Sequence, residues 1–187
     1  MGSNPLNFIA NRLPNRQNIL RVYAMSVLLT YSWTMLVSFW KLPSWLYFLS
    51  VGGIFSIYAY SFLVNFIESI LLTFFVLFLA AIFPARWWKD GFVVKSITVF
   101  CILIASILLR LRIYRLEEFR IAFFESQFAW WICTVALAIL SGWVLSHFKW
   151  LTNLIESFSD QVIVFLYIYL PLSAVSLIVI FHRNVKV

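Results

Sequence analysis

Chemistry in this chain would concentrate at Asn65 and Glu68. Both lie in Leu46–Pro84, an apolar stretch in which Glu68 is the only charge. An ionisable group inside a membrane segment is a functional candidate because of its cost alone. It could carry a proton or a substrate. The competing expectation is architectural. Asn65 and Glu68 would cap a reversal between two spans, with Glu68 in the first turn of the next helix, where the dipole favours an acid.

A second concentration is the run from Arg110 to Arg120, with Arg110, Arg112, Arg115 and Arg120 beside Glu117 and Glu118. Guanidinium groups bind phosphate and carboxylate through paired N–H bonds, so these four arginines are candidates for an anionic lipid headgroup or an acidic partner surface. A loop that sets topology, with local Arg–Glu pairs, is the plainer expectation. Glu68 is expected to pair with an arginine at the neighbouring end of the fourth span, because Arg stays charged and fits a carboxylate. Glu125, Ser126 and Gln127 stand just before the fifth span, as caps or as the wall of a polar cavity. Arg86-Trp87-Trp88-Lys89-Asp90 suits a membrane anchor, with cation–π recognition of a ligand as the alternative.

Other constellations are missing. His147 and His182 are the only histidines, and no HExxH, paired-cysteine or glycine-rich phosphate motif occurs. Cys101 and Cys133 sit inside apolar runs and are expected to be buried hydrophobes. No catalytic residue, metal ligand or cofactor site is expected.

The elements that must position these residues follow from composition. Hydrophobic residues make up 64% of the 187 and charged residues 11%, and mean hydropathy is +0.96; soluble domains are nearer a quarter charged. Leu46–Pro84 would reach about 58 Å as one helix, nearly twice a hydrocarbon core of about 30 Å. The expected fold is therefore all-α, a polytopic membrane protein with six transmembrane helices in one bundle. A polar tail covers 1–18, and the membrane domain covers 19–187. The spans fall at 22–40, 46–64, 69–87, 92–109, 128–148 and 161–181. Turns are expected at Leu42-Pro43-Ser44 and at 65–68. Gly52-Gly53 offers close approach or a kink, and Pro171 a kink. Lys95 is expected to snorkel outward. Glycine is rare, so bulky side chains rather than small-residue seams should fill the interior. Leu151, Leu154, Ile155 and Phe158 share one helical face, which predicts an interfacial helix at 149–160.

The net charge of +7 flanks apolar runs, which points to anionic headgroups and topology rather than nucleic acid. Six spans with the N-terminus inside put nine basic residues on the cytoplasmic side and five on the other. With Leu46–Pro84 as one span the split is seven and seven. The positive-inside rule therefore favours six spans, both termini cytoplasmic, in the cell membrane.

Three functional readings follow. The first is a non-enzymatic accessory or scaffold subunit, with the bilayer, anionic headgroups and other membrane subunits as its contacts. The second is a small-solute or lipid transport component built on Asn65, Glu68 and the flexible points. The third is an intramembrane lipid-modifying enzyme that uses Glu68 and the arginines on the inner face.

Overall fold

Helix α1 runs from Arg16 to Phe48 and does not stop at Pro43. The computed structural model describes residues 13–114 and 122–185. Beyond α1 the order is α2 (Val51–Ile82), α3 (Ala85–Trp88), α4 (Phe92–Tyr114), α5 (Ala122–Leu145), α6 (Lys149–Val162), a 3-10 turn (Ile163–Phe165) and α7 (Leu166–Val185). Helix is what an apolar environment demands, because every backbone N–H and C=O must find its partner within the segment.

The breaks have local causes. Ser50 caps α2, its hydroxyl accepting the Gly53 N–H at 3.2 Å, so the first turn falls at Leu49-Ser50 and not at 42–44. Pro84 ends the α2 region. Gly91 turns the chain into α4 with φ +69°, a conformation that glycine adopts without strain. A Cβ there would also meet Ser146 Cβ at 3.1 Å. Gly52 has open space around it, and α2 runs through it, so the glycine pair makes no close approach at that position.

The expected reversal at 65–68 does not exist. Val51–Ile82 is one helix of 32 residues. Nothing in Asn65-Phe66-Ile67-Glu68 breaks a helix, and the Asn65 side chain bonds a neighbouring helix instead of capping its own. Among the described residues, five helices are long and apolar enough to cross a membrane: Arg16–Phe48, Val51–Ile82, Phe92–Ile113, Gln127–Leu145 and Lys149–Asn184. If all five cross, the basic residues divide evenly and the two ends fall on opposite faces. The charge count then selects no orientation, and the expectation of two cytoplasmic termini loses its support. A helix does form over the expected stretch, as Lys149–Val162, but Lys149–Asn184 reads as one candidate span rather than an interfacial helix and a separate span. The helix joins α7 through one 3-10 turn whose flanking residues, Val162 and Leu166, keep right-handed helical angles.

The chain divides into two compact units. One comprises Met1–Asn18 and Val76–Ser157, the other Ile19–Phe75 and Phe158–Val187. In the first, α4 and α5 form an antiparallel pair. Phe92–Phe100 is buried at every position, Lys95, Ser96 and Thr98 included. Gly142 lies against α4; a Cβ would meet the Lys95 Cα at 3.2 Å and its carbonyl oxygen at 3.3 Å. In the second, α1 and α2 are antiparallel and α7 runs alongside α1. Tyr31, 1% exposed, stacks on Phe62 with centroids 5.6 Å apart and tilts against Tyr169 at 4.6 Å.

Candidate functional site

The α1–α2 contact is a seam of small polar residues. Ser26, Thr30, Thr34 and Ser38 recur every fourth residue on α1, and Asn65, Ser69 and Thr73 do the same on α2. A spacing of four keeps each set on one helical face. Across the seam the Ser26 hydroxyl donates to the Ser69 carbonyl at 3.2 Å and lies 3.2 Å from Thr73 Oγ1. Thr34 Oγ1 donates to Asn65 Oδ1 at 2.9 Å. Such bonds act as glue where lipid supplies no hydrophobic drive. The small-residue seam is therefore present, built from serine and threonine rather than glycine.

The third helix of this unit joins at Tyr31. Its hydroxyl donates to the Phe62 carbonyl at 3.1 Å and shares a hydrogen bond with Ser173 Oγ; Ser173 in turn donates to the Tyr169 carbonyl at 2.7 Å. Two hydroxyl protons serve three contacts, so one contact lacks a proton at any instant. Asn65 is 4% exposed, and its Nδ2 has no hydrogen-bond partner.

Glu68 faces the other way. It is exposed and edges a stripe of Val64, Ile67, Leu71 and Phe74, each at least half exposed. No hydrogen bond or ion pair to its carboxylate occurs among the described residues of its own unit; the expected arginine partners, Arg110 and Arg112, belong to the other unit, and Arg115 lies outside the described residues. Its depth can be read from its neighbours. Arg21 Nε and Nη2 bind the two Asp160 oxygens at 2.6 and 2.7 Å, a charged boundary at one end of this unit. Lys41 lies about 30 Å further along α1, one hydrocarbon thickness. At the same end Tyr60 meets Asn184 at 3.3 Å. Glu68 sits next to Ser69, which touches Ser26, and one turn from Asn65, which touches Thr34. It therefore lies level with the middle of the Arg21–Lys41 interval. An acidic side chain at that depth costs about 2.5–3.5 kcal/mol on insertion scales.

The remaining candidates are dispersed. Arg110 lies over the Trp130 ring, 5.2 Å from its centroid. The Trp130 Nε1 donates to Ser106 Oγ at 2.8 Å, and Ser106 meets Thr134 at 3.0 Å. Arg112 is exposed in the last turn of α4. Arg115, Arg120, Glu117 and Glu118 lie outside the described residues, as do the side chains of Arg86, Glu125 and Ser126. His147 is exposed and its Nδ1 is 2.8 Å from the Trp143 carbonyl. His182 is exposed at the end of α7. No group of metal-binding side chains occurs among the described residues. Cys101 and Cys133 are free and exposed, not buried. In an apolar solvent an exposed thiol costs little, so hydrophobic context does not imply an interior position.

Lys95 does not reach open solvent. It is 4% exposed, and its ammonium donates to the carbonyls of Trp87 at 2.5 Å and Asp90 at 2.6 Å. It caps the carbonyl end of α3 and holds the turn onto α4. The signal for the hydroxyl seam was in the sequence, as two i, i+4 series of Ser, Thr and Asn. The Arg21–Asp160 pair had no such signal, because the two residues lie 139 apart in the chain.

The chain is a multi-pass helical membrane protein. Comparison with family models, curated proteins and solved structures gives no match.

Proposed function

We propose that the chain is a non-enzymatic accessory or scaffold subunit of a larger membrane complex. The observation that supports this reading is Glu68, an acid at mid-span on an outward apolar stripe with no partner among the described residues. Lipid satisfies Val64, Ile67, Leu71 and Phe74 but not a carboxylate. Ser26, Thr34 and the Asn65 amide oxygen, by contrast, are engaged across the α1–α2 seam. The test is native mass spectrometry of the protein gently extracted from its own membranes. The expected result is a particle of defined composition that contains this chain and others. A lone chain in every mild detergent would overturn the reading.

A transport role has one observation of its own, the buried Asn65 Nδ2 without a partner beside the hydroxyl seam. If Asn65 lines a solute path, purified protein in vesicles conducts small polar solutes and Asn65→Leu abolishes the flux while leaving helicity unchanged. The lipid-modifying reading relied on Glu68 at a headgroup layer, and its place near the middle of Val51–Ile82 weighs against that.

A further inference from the structure

Glu68 also carries information about what would cover it. The carboxylate is too deep to reach either headgroup layer. It is seventeen residues from the start of α2 and fourteen from its end, so about 21 Å or more of helix separates it from either terminus. Short side chains do not snorkel over such lengths. A second copy of this chain is a poor occupant. It would bring another Glu68 to the same depth, and two carboxylates in one site repel. Nor does it have a cation to offer there. Every described Lys and Arg lies within about two turns of a helix end or in a loop. The stripe beside Glu68 is straight, apolar and one helix wide, with Val64, Ile67, Leu71 and Phe74 at the i, i+3, i+4 spacings that receive a packed helix.

We infer that the Val64–Phe74 stripe of α2 docks a transmembrane helix of a partner subunit that carries one arginine or lysine near the middle of its apolar run, paired with Glu68. This rests on the accessory-subunit reading and names the chemistry of the partner. The pair neutralises two groups that the bilayer would each reject. The apolar stripe supplies packing, and the charge supplies register and selectivity.

The test uses full-length protein in lipid vesicles with labelled leucine-rich transmembrane peptides. One peptide has a central arginine, one a central glutamate and one leucine throughout; energy transfer reads association. The arginine peptide is expected to bind about tenfold or more tightly than the leucine peptide. Glu68→Gln removes that preference, and Glu68→Lys transfers it to the glutamate peptide. Circular dichroism of each variant confirms folding, and the charge swap keeps the test valid if one variant is damaged. Equal binding of all three peptides overturns the inference, as does a preference that survives Glu68→Gln. Glu68-dependent association between copies without peptide assigns the stripe to a second copy and also overturns it. A large native assembly combined with no arginine preference leaves the accessory reading intact and removes only the basic helix.

Discussion

Thr34 on α1 and Asn65 on α2 meet through a 2.9 Å hydrogen bond from the threonine hydroxyl to the amide oxygen. That contact fixes the register of the hairpin at its centre and turns Glu68, one turn further along α2, toward the outside. Asn65 is thus structural at its oxygen and unsatisfied at its nitrogen.

The energetic weight of this contact is measurable by a double-mutant cycle with Thr34→Val and Asn65→Leu, read by reversible unfolding in bicelles. A coupling of about 0.6 kcal/mol, and not above about 2, is expected for a side-chain bond between membrane helices. Zero coupling would mean that the register is set by apolar packing alone.

Arg21 and Asp160 make the paired contact that joins α1 to the start of the last span. Asp160 is 44% exposed on its side chain, so solvent screens the pair and its worth is about 0.5–1 kcal/mol. Asp160→Asn should lower unfolding stability by that amount at low ionic strength and by less at high salt. Arg21→Lys keeps the charge and loses the second parallel bond, so it should recover only part. A loss independent of salt would show that Arg21 acts through its other contacts.

Two glycines make opposite predictions. At Gly142 an added Cβ presses on the Lys95 backbone, which has no flexible end to move aside. Gly142→Leu should destabilise by about 1–3 kcal/mol through overpacking. At Gly52 an added Cβ meets nothing within 4 Å, so Gly52→Ala should stabilise by about 0.5–1 kcal/mol through helix propensity. Thermal unfolding of both variants side by side checks the contrast. A stabilising Gly142→Leu would mean that α4 and α5 are further apart than described.

How far these features were legible depended on the kind of signal each left. Helical membrane character followed from apolar runs, and the helix at 149–160 from one-sided spacing. The expected reversal at 65–68 rests on polarity as the mark of an interface. Asn65 shows why that fails, since its polarity is answered sideways by Thr34. Length misled in the same direction. α1 and α2 both exceed one hydrocarbon thickness, and the excess lies beyond Lys41, around the Leu49-Ser50 turn. The aromatics there, Tyr47 and Phe48, 83% and 77% exposed, suit the boundary layer. Glu68 could be recognised from sequence as the residue to watch, but not its depth or direction, because both depend on which residues of α1 stand opposite α2.

α2 is unbroken and carries Glu68 outward near its middle. Spin labels introduced singly from position 60 to position 75, in full-length protein in vesicles, test it through power saturation with oxygen and a water-soluble nickel complex. The expected result is a continuous helical period, oxygen access highest at positions 64, 67, 71 and 74, and depth greatest near position 67. High nickel access with loss of the helical period at 65–68 would restore the turn and contradict it.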